Sequence, residues 1–323
     1  MHTTRVGIVG CGYFGNFHLD ILNKMEQVEV CALAAGNTQR LVETGKKAPG
    51  ARLYADHHEM LDREQLDALF VCVTPARHDD IERYAAQKGV HLYVEKPIGL
   101  SMDEVSATAD AIERAGILCS VGYQERYSCG MDAVKALLAK TQAGLVAGRW
   151  VGGMPAPLWW RQKDQSGGQI VEQCTHIFDA LRFLFGEAQS IYTAAQKGLV
   201  TGVPSYDVED CSTSTVLFQS GVTACVQTGC YCKSTFEAGF DIYLPDEKIE
   251  YVWGQCMRRR AGNHVDTLPF EAEPHAEAVR AFINAVQHRD AAPIRSSYRD
   301  AAKTLALTLS ANESMRTGKP VAL

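Results

Sequence analysis

The sequence predicts two folded parts: an α/β domain built on a doubly wound parallel sheet, then an α+β domain built on an open, largely antiparallel sheet. The chain has 323 residues, which is more than one small core needs. Short apolar runs alternate with helical patterns to about residue 122, and strand-rich patterns with hairpin-like turns begin near residue 211. We place the domains at residues 1–125 and 126–323, with the C-terminal helices packing back on the first domain.

The composition is that of an ordinary globular protein and disfavours several kinds of partner. No apolar run approaches the roughly 20 residues that a membrane-spanning helix needs, so we expect no membrane association. The net charge is −6, the pI is about 5.9 and no basic stripe is present, so nucleic acid is not an expected partner. The first strand begins almost at once, which leaves no room for a signal peptide, and we expect a cytoplasmic protein.

Two clusters of residues are interpreted as structural. The 11 cysteines include one close pair, Cys230 and Cys232, so we expect reduced thiols and no metal site. Three consecutive arginines, Arg258–Arg260, form an isolated basic cluster that we interpret as a solvated turn.

Five short apolar runs in the first domain have the character of buried parallel strands. Helical patterns separate them, and one such helix has a capping box at Ser101 and Glu104 and ends at Gly116. Continuous apolar strands separated by helices predict a sheet covered on both faces, with a ligand crevice at the carboxyl ends of its strands. The predicted strands are residues 5–10, 28–34, 68–73, 91–95 and 118–122.

A glycine-rich turn follows the first strand and opens a helix. Gly10 permits the tight turn, Gly12 lets a pyrophosphate approach the backbone, and Gly15 lets the helix pack closely on the strand. The N–H groups at the start of the helix, at Tyr13 and Phe14, are then available to bind phosphate. This arrangement predicts a Rossmann-type dinucleotide site, and the alternative is a tight glycine turn without a ligand.

The residues after the second strand bear on the choice of coenzyme. An NAD site usually has a carboxylate there for the ribose hydroxyl, whereas this chain has Ala35. Asn37, Thr38 and Arg40 can instead bind a 2′-phosphate, so we favour NADP over NAD. NAD stays open, because Arg40 can equally be a solvated helix residue.

A charged corner, Glu95-Lys96-Pro97, ends the predicted strand at residues 91–95. A half-buried lysine beside a glutamate is costly unless it is paired or used, and the ordinary alternative is a strand end at the surface. The order of the motifs GIVGCGYFG, VTPARH, VEKPIGL, VGYQERY and SGGQIVEQCTHIFD resembles the Gfo/Idh/MocA family, the glucose–fructose oxidoreductase and inositol dehydrogenase group.

This resemblance implies a function and an assembly. Members of the family are two-domain NAD(P)-dependent oxidoreductases that act mainly on sugars and polyols. Their second domain carries the substrate and usually mediates oligomers, so the resemblance implies a homodimer or homotetramer and a small carbohydrate or polyol substrate.

The resemblance gives Lys96 a catalytic role. In this family the lysine of the EKP motif stabilises alkoxide character on the substrate oxygen, and in the reverse direction it polarises a carbonyl. Glu95 is expected to hold the lysine side chain and to belong to the cofactor site, and we expect a cis peptide bond before Pro97.

The segment after Gly168 is predicted to be one helix, from about residue 169 to 185. Glu172, His176 and Asp179 then share the face opposite its apolar stripe. A polar outer face is the ordinary interpretation. The resemblance instead makes His176 the general base and Asp179 a residue that orients substrate or His176. Glu172 stands where many relatives have Asp, and Cys174 is expected to pack rather than react.

Further positions are assigned to the pocket. After the strand at residues 68–73 lies a loop that would line the middle of the cofactor, and after residues 118–122 lies a segment that would face nicotinamide and substrate. A tryptophan-rich segment resembles one that closes over the site in the family. The cofactor positions are Thr74, Pro75, His78 and Gln124, and the substrate positions are Tyr123, Arg126, Trp160 and Arg161.

Three functions are weighed. The leading one is an NAD(P)-dependent dehydrogenase in which Lys96 and His176 act on one carbinol oxygen of a sugar, sugar derivative or cyclic polyol. The second is a carbonyl reductase that works mainly in the reverse direction on a ketosugar. The third is a non-catalytic NAD(P)-sensing regulator, which loss of the lysine or the histidine would favour, although both are present.

Overall fold

The computed structural model describes residues 3–323, and contacts between residues divide the chain into two compact units. The first unit comprises residues up to Gln124 together with His275–Ala302. The second unit comprises Glu125–Pro274 together with Lys303–Leu323. The chain therefore leaves the first unit, builds the second and returns to the first before it ends in the second.

The helices and strands are numbered in chain order. The strands are β1 Thr4–Val9, β2 Val28–Ala34, β3 Arg52–Tyr54, β4 Ala68–Val71, β5 His91–Val94, β6 Cys119–Val121, β7 Leu145–Val151, β8 Ala188–Gln196, β9 Cys211–Phe218, β10 Thr223–Gly229, β11 Glu237–Tyr243, β12 Lys248–Val252, β13 Cys256–Ala261, β14 His264–Pro269 and β15 Val321–Ala322. The helices are α1 Tyr13–Leu22, α2 Thr38–Gly45, α3 His57–Arg63, α4 Ile81–Gln87, α5 Met102–Ala115, α6 Cys129–Leu138, α7 Lys163–Ser166, α8 Gln169–Glu172, α9 Thr175–Phe185, α10 Pro274–His288 and α11 Tyr298–Thr317.

The sheet of the first unit is parallel throughout, in the order β3-β2-β1-β4-β5-β6. This is the strand order of a doubly wound dinucleotide-binding sheet, which confirms the predicted fold class. All five predicted strands form. The sequence analysis did not predict β3, because it has only three residues and two of them, Arg52 and Leu53, are exposed.

Helix α5 has the predicted boundaries for the predicted reasons. The Ser101 side chain accepts a hydrogen bond from the Glu104 backbone N–H at 3.5 Å. Gly116 ends the helix in the left-handed conformation, with φ of 64°.

Helix α10 supplies part of the core of the first unit. Val279, Phe282 and Ile283 are buried and pack in one cluster with residues of β1, β2, β4 and β5. The Phe282 ring makes edge contacts with Phe70 and Tyr93, at centroid distances of 5.7 and 5.6 Å. The segment that follows the second unit is therefore an integral part of the first unit's core.

The second unit is built on a nine-stranded sheet in the order β14-β13-β12-β11-β7-β10-β9-β8-β15. Only β7 and β10 pair in parallel, and every other pair is antiparallel, which confirms the largely antiparallel prediction. Buried side chains of α9, including Ile177, Phe178 and Leu181, pack on one face of the sheet. This packing fixes the orientation of the helix that carries His176.

The interpretation of the arginine cluster as a turn is wrong. Arg258–Arg260 lie within β13 and pair with β12, where the partner strand provides carboxylates. The Arg260 Nε donates to Glu250 at 2.7 Å, and the Arg259 Nε donates to Glu247. Cross-strand pairs of opposite charge stabilise a strand that has little apolar content.

The structure adds two general observations. None of the described helices is long and apolar enough to cross a membrane. All 11 cysteines are free, as expected from the sequence.

We predict that Phe282→Ala lowers the free energy of unfolding of the whole chain by about 3–5 kcal/mol, because it leaves a cavity between α10 and the first sheet. Chemical denaturation followed by fluorescence or circular dichroism measures the change. Asn284→Ala, at an exposed position of the same helix, is the matched control and should change the free energy by less than about 1 kcal/mol. Equal effects of the two substitutions would show that α10 does not contribute to the core.

Candidate active site

The glycine-rich turn has the geometry expected of a phosphate-binding site. Gly10 has φ of 98°, and a Cβ at Gly15 would lie 1.9 Å from the Gly10 carbonyl oxygen, so neither position accepts a side chain. A Cβ at Gly12 would have no atom within 4 Å, so its backbone faces open space. No side chain caps the start of α1, which leaves its first N–H groups available to an anion, and Tyr13 beside them is exposed.

The start of α2 follows the carboxyl end of β2. Asn37 caps this helix, with its side-chain oxygen accepting from the Arg40 N–H at 3.0 Å. Thr38 and Arg40 are exposed. Residues 34–40 contain no carboxylate, so the surface here presents hydroxyl, amide and guanidinium groups.

Glu95 is buried directly after β5, and its carboxylate is paired. His18 on α1 lies with its Nε2 2.6 Å from Glu95 Oε1. Burial alone would raise the pKa of Glu95, but the hydrogen bond to His18 and the nearby charge of Lys96 together lower it. Gly122 at the end of β6 leaves space for this carboxylate, since a Cβ there would lie 2.8 Å from Glu95 Oε1.

Lys96 is half-buried beside this pair, and the peptide bond between Lys96 and Pro97 is cis, as expected. The Lys96 Nζ lies 6.0 Å from the centroid of the Phe14 ring, at the outer limit of a cation–π contact. The first unit therefore places the lysine of the EKP motif next to the start of α1, where the glycine-rich turn ends.

The carbonyl of Pro97 is held from the other side. His78 donates from Nε2 to the Pro97 oxygen at 3.0 Å, and its Nδ1 is hydrogen-bonded to Glu82. Burial disfavours the charged imidazole, yet the Glu82 carboxylate raises the pKa of His78. Because both ring nitrogens are engaged, the His78 side chain supports the Lys96 corner.

The remaining positions of the first unit that were assigned to the cofactor, together with Tyr123, which was assigned to the substrate, differ in exposure. Thr74 is half-buried and precedes a short 3₁₀ turn that begins at Pro75, which is buried. Tyr123 and Gln124, at the end of the first unit's sheet, are 2% and 4% exposed. Their backbone follows β6, so they lie at the carboxyl edge of the sheet, where the other cofactor positions also lie.

In the second unit the predicted single helix at residues 169–185 is wrong. It is divided into α8 and α9, because the Cys174 N–H bonds to the Gln169 oxygen, five residues back, and the turn widens there. Glu172 therefore precedes the break, while His176 and Asp179 follow it on α9. Cys174 packs in the core, and burial raises the pKa of its thiol, as its predicted structural role requires.

His176 lies among aromatic rings at the start of α9. Its imidazole stacks on the Trp150 indole with a centroid distance of 5.5 Å and an interplanar angle of 21°. Trp253 lies 5.5 Å away, and Phe236, which is 64% exposed, packs edge-on against Trp150. The predicted general base is thus held by apolar surfaces and is 7% exposed.

Asp179 is the centre of a buried polar network. Arg126 donates to both of its carboxylate oxygens, at 2.8 and 2.6 Å, and the Thr304 hydroxyl donates to Oδ1 at 2.8 Å. Arg126 and Asp179 are 3% and 2% exposed. The predicted site residues Arg126 and Asp179 therefore bind each other. Their contact connects α9 to the segment that begins the second unit.

Glu172 is half-buried and accepts a hydrogen bond at 2.8 Å from the indole N–H of Trp160. Trp160 itself is 1% exposed and packs with Val208 and Cys230. Arg161, next to it, is half-buried, and within the described residues its Nε has no hydrogen-bond partner. The tryptophan-rich segment thus orients the carboxylate that stands in place of the usual aspartate.

The sequence analysis placed Glu125, in the QERY motif, only within the segment that would face nicotinamide and substrate, and did not predict its partner. The Tyr251 hydroxyl donates to its carboxylate and lies 2.9 Å from Ser128 Oγ. Burial raises the pKa of Glu125 from its ordinary value of 4.5 to about 7. No local pattern reveals this, because Tyr251 is 126 residues away along the chain.

Other contacts of the site were also missed. Neither the His18 partner of Glu95 nor the Trp150 and Trp253 neighbours of His176 were predicted. The sequence offered one signal of these neighbours, because both tryptophans lie in or next to apolar strand patterns. These strands, β7 and β12, belong to the sheet that α9 covers and so lead into the site.

We predict that the stability of the wild-type chain relative to Glu125→Gln falls as pH rises through about 7. In the folded chain the Glu125 carboxyl stays protonated at pH values where the same carboxyl of the unfolded chain, with a pKa near 4.5, has released its proton. Between pH 5 and pH 8 the difference in free energy of unfolding should change by up to about 3 kcal/mol. Denaturant titrations at several pH values measure it, with the exposed Glu26→Gln as control; a pH-independent difference for Glu125→Gln would contradict the prediction.

Two models of one protein family match the chain. The NAD-binding Rossmann-fold domain of an oxidoreductase family, GFO_IDH_MocA, matches residues 4–123. The GFO/IDH/MocA C-terminal domain matches residues 134–250. These matches cover the parallel sheet and much of the second sheet.

Named relatives and a solved structure agree with these matches. D-apiose dehydrogenase of Paraburkholderia graminis is 28% identical, over 98% of this chain and 88% of that protein. Myo-inositol 2-dehydrogenase of Thermotoga maritima is 25% identical, over 57% of this chain and 55% of that protein. An oxidoreductase from Agrobacterium radiobacter, solved in complex with NAD+, L-tartaric acid and magnesium, has a TM-score of 0.87 at 19% identity, over 99% of this chain and 98% of that one, and so has the same fold. The chain belongs to the Gfo/Idh/MocA family of oxidoreductases, with its NAD-binding domain and its C-terminal domain.

Proposed function

We propose that the protein transfers a hydride between a nicotinamide cofactor and a secondary alcohol or ketone of a sugar, sugar derivative or cyclic polyol. The observation that carries this proposal is the Lys96 corner. A half-buried ammonium sits beside a buried Glu95–His18 pair and next to the glycine-rich turn. An ammonium held in place beside the cofactor positions suits a group that acts on a substrate oxygen.

The dinucleotide fits the first unit. Open space in front of the Gly12 backbone and the uncapped start of α1 suit a pyrophosphate. When bound, the nicotinamide would accept hydride from a substrate carbon or donate hydride to it.

The chain's own residues would handle the proton and the charge. His176 would accept the hydroxyl proton of the substrate, and Lys96 would stabilise the oxyanion that forms. Stacking on Trp150 fixes the plane of the imidazole and so the direction of its nitrogens. In the reverse direction the same two groups polarise a carbonyl and return the proton.

The two carboxylates of α8 and α9 have different roles. Asp179 is bound on both oxygens by Arg126 and Thr304, so we assign it to the positioning of α9 and thus of His176. Glu172 is half-buried and accepts a hydrogen bond from Trp160 on Oε2, and we assign it to a substrate hydroxyl.

The substrate class rests on the relatives and on the surface near His176. Two relatives carry the names of a D-apiose and a myo-inositol dehydrogenase. The rings of Trp150, Trp253 and Phe236 offer apolar faces that suit the C–H face of a sugar or cyclitol. Dehydrogenation is the favoured direction; a regulatory role is disfavoured, since the chain retains both Lys96 and His176. A homo-oligomer and a cytoplasmic location stay predictions.

Lys96→Ala and His176→Asn test the mechanism. With the substrate found in a panel that includes D-apiose and myo-inositol, we expect kcat to fall by roughly 10²–10⁴-fold in each variant, because each removes a group that acts in the transition state. Nicotinamide absorbance measures turnover, and dinucleotide affinity should change little. Lys24→Ala and His264→Asn, at exposed positions, are the matched controls. Unchanged turnover in the Lys96 or His176 variant would remove that residue from the chemistry, and no turnover on any panel member with either coenzyme would contradict the proposed substrate class.

The coenzyme proposal is tested separately. We propose NADP rather than NAD, because residues 34–40 lack a carboxylate and include Arg40. Arg40→Ala should weaken NADP+ binding by about tenfold or more, since the guanidinium loses a phosphate contact, and should leave NAD+ binding unchanged. Calorimetric titration with each dinucleotide measures both affinities. Tighter binding of NAD+ than NADP+ by the wild-type protein would contradict the proposal.

A further inference from the structure

A cluster of metal-ligating side chains lies in the first unit, outside the residues assigned to catalysis. It comprises Asp56, His57 and His58, which start α3, and Asp80, which starts α4; we call it the His57 cluster. One potential ligand atom from each of Asp56, His57 and His58 lies within 4.8 Å of the others. We propose that this cluster binds a divalent transition-metal ion of the Zn²⁺ type.

Asp80 orients both imidazoles. Its Oδ1 lies 3.2 Å from His57 Nε2, and its Oδ2 lies 3.0 Å from His58 Nε2. Each oxygen thus accepts from a different ring through Nε2, so in the neutral imidazoles both Nδ1 atoms keep a lone pair for a metal. A carboxylate that holds the far nitrogen of a ligating histidine is the usual outer partner in protein metal sites.

Asp80 occupies the position of a helix cap yet does not cap its helix. Aspartate at this position normally accepts from the N–H groups of the first turn. Here no side-chain bond caps α4, and the carboxylate faces the two histidines instead. The residue before it, Asp79, has φ of 47°, which directs the chain into this arrangement.

The third donor is Asp56. Its Oδ1 lies 3.6 Å from His58 Nδ1, and it also accepts from the Glu59 N–H at 3.0 Å. For an ion about 2.0–2.2 Å from each donor, a tetrahedral site needs donors about 3.4 Å apart. The Asp56–His58 separation of 3.6 Å is close to this spacing.

The donor set selects the type of ion. Two imidazoles and one carboxylate favour Zn²⁺ and its neighbours over Mg²⁺ or Ca²⁺, which prefer oxygen ligands alone. The side chains are accessible, because His57 is 17% and His58 is 39% exposed. Three protein ligands leave the fourth coordination position to water. The bound ion would hold the start of α3 in place beside the parallel sheet.

The two imidazole rings are packed against each other and against a neighbouring aromatic ring. The centroids of His57 and His58 are 4.0 Å apart, at an angle of 34°. Tyr84 packs edge-on against His58 at 4.5 Å, and its hydroxyl donates to Asp62 at 2.7 Å, so the second ring is held from its outer side. A site whose ligands are held in place loses less entropy when the ion binds.

Zinc binding to the whole, chelator-treated protein tests the proposal. We expect one Zn²⁺ bound per chain in competition with a chromogenic chelator, and His57→Gln and His58→Gln should each weaken its binding at least tenfold. Asp80 is not itself a ligand, and Asp80→Asn should weaken zinc binding by about 10- to 100-fold, because the ligand imidazoles lose the group that orients them. His264→Gln is the matched control, because His264 lies 2.9 Å from Asp266 but belongs to no cluster of three donors in the described chain.

Cobalt substitution distinguishes this site from the thiols. Co²⁺ in the His57 cluster should give visible bands without a thiolate charge-transfer band, and His58→Gln should abolish those bands. Circular dichroism of each variant establishes that it folds. Binding that carries a thiolate band, that survives both histidine substitutions in folded variants, or that is absent from the wild-type protein would overturn the proposal.

Discussion

The first unit depends on the burial of one carboxylate at the carboxyl end of β5. Moving Glu95 out of water carries a free-energy cost that only a partner can offset. His18 provides that partner from α1, and Gly122 provides the space from β6. Because the pair is fixed, the next residue, Lys96, is fixed too, and His78 holds the carbonyl of Pro97 from the opposite side. The hydrogen-bonded Glu95–His18 pair thereby determines where the Lys96 ammonium lies.

The second unit uses the same principle around Asp179. The buried Asp179 carboxylate accepts hydrogen bonds from Arg126 and Thr304, and these bonds connect α9 to the start of the second unit and to α11. His176 lies one turn earlier on that helix, against Trp150. In both units, then, a residue that the family resemblance associates with chemistry stands next to a buried, hydrogen-bonded carboxylate that orients it.

Much of the fold could be predicted from local pattern, whereas the pairings in the site could not. Buried parallel strands are continuous apolar runs, so β1, β2, β4 and β5 were evident, but β3 was not, since its first two residues are exposed. The break between α8 and α9 was missed, because a bond from Cys174 to a carbonyl five residues back leaves the apolar spacing intact. His18 and Glu95 are 77 residues apart, and only the folded sheet brings them together. The contacts of His57 and His58 with Asp80 were not predicted either, because Asp80 precedes another helix.

The central claim is that Lys96 and His176 act on a single oxygen of the substrate. A crystal structure of the protein with NADP+ and the polyol or sugar that it turns over tests this claim most directly. The account predicts a carbinol oxygen within about 3 Å of both the Lys96 ammonium and an imidazole nitrogen of His176, with the pyrophosphate at the glycine-rich turn. A carbinol oxygen that contacts neither side chain, or a dinucleotide bound away from that turn, would contradict it.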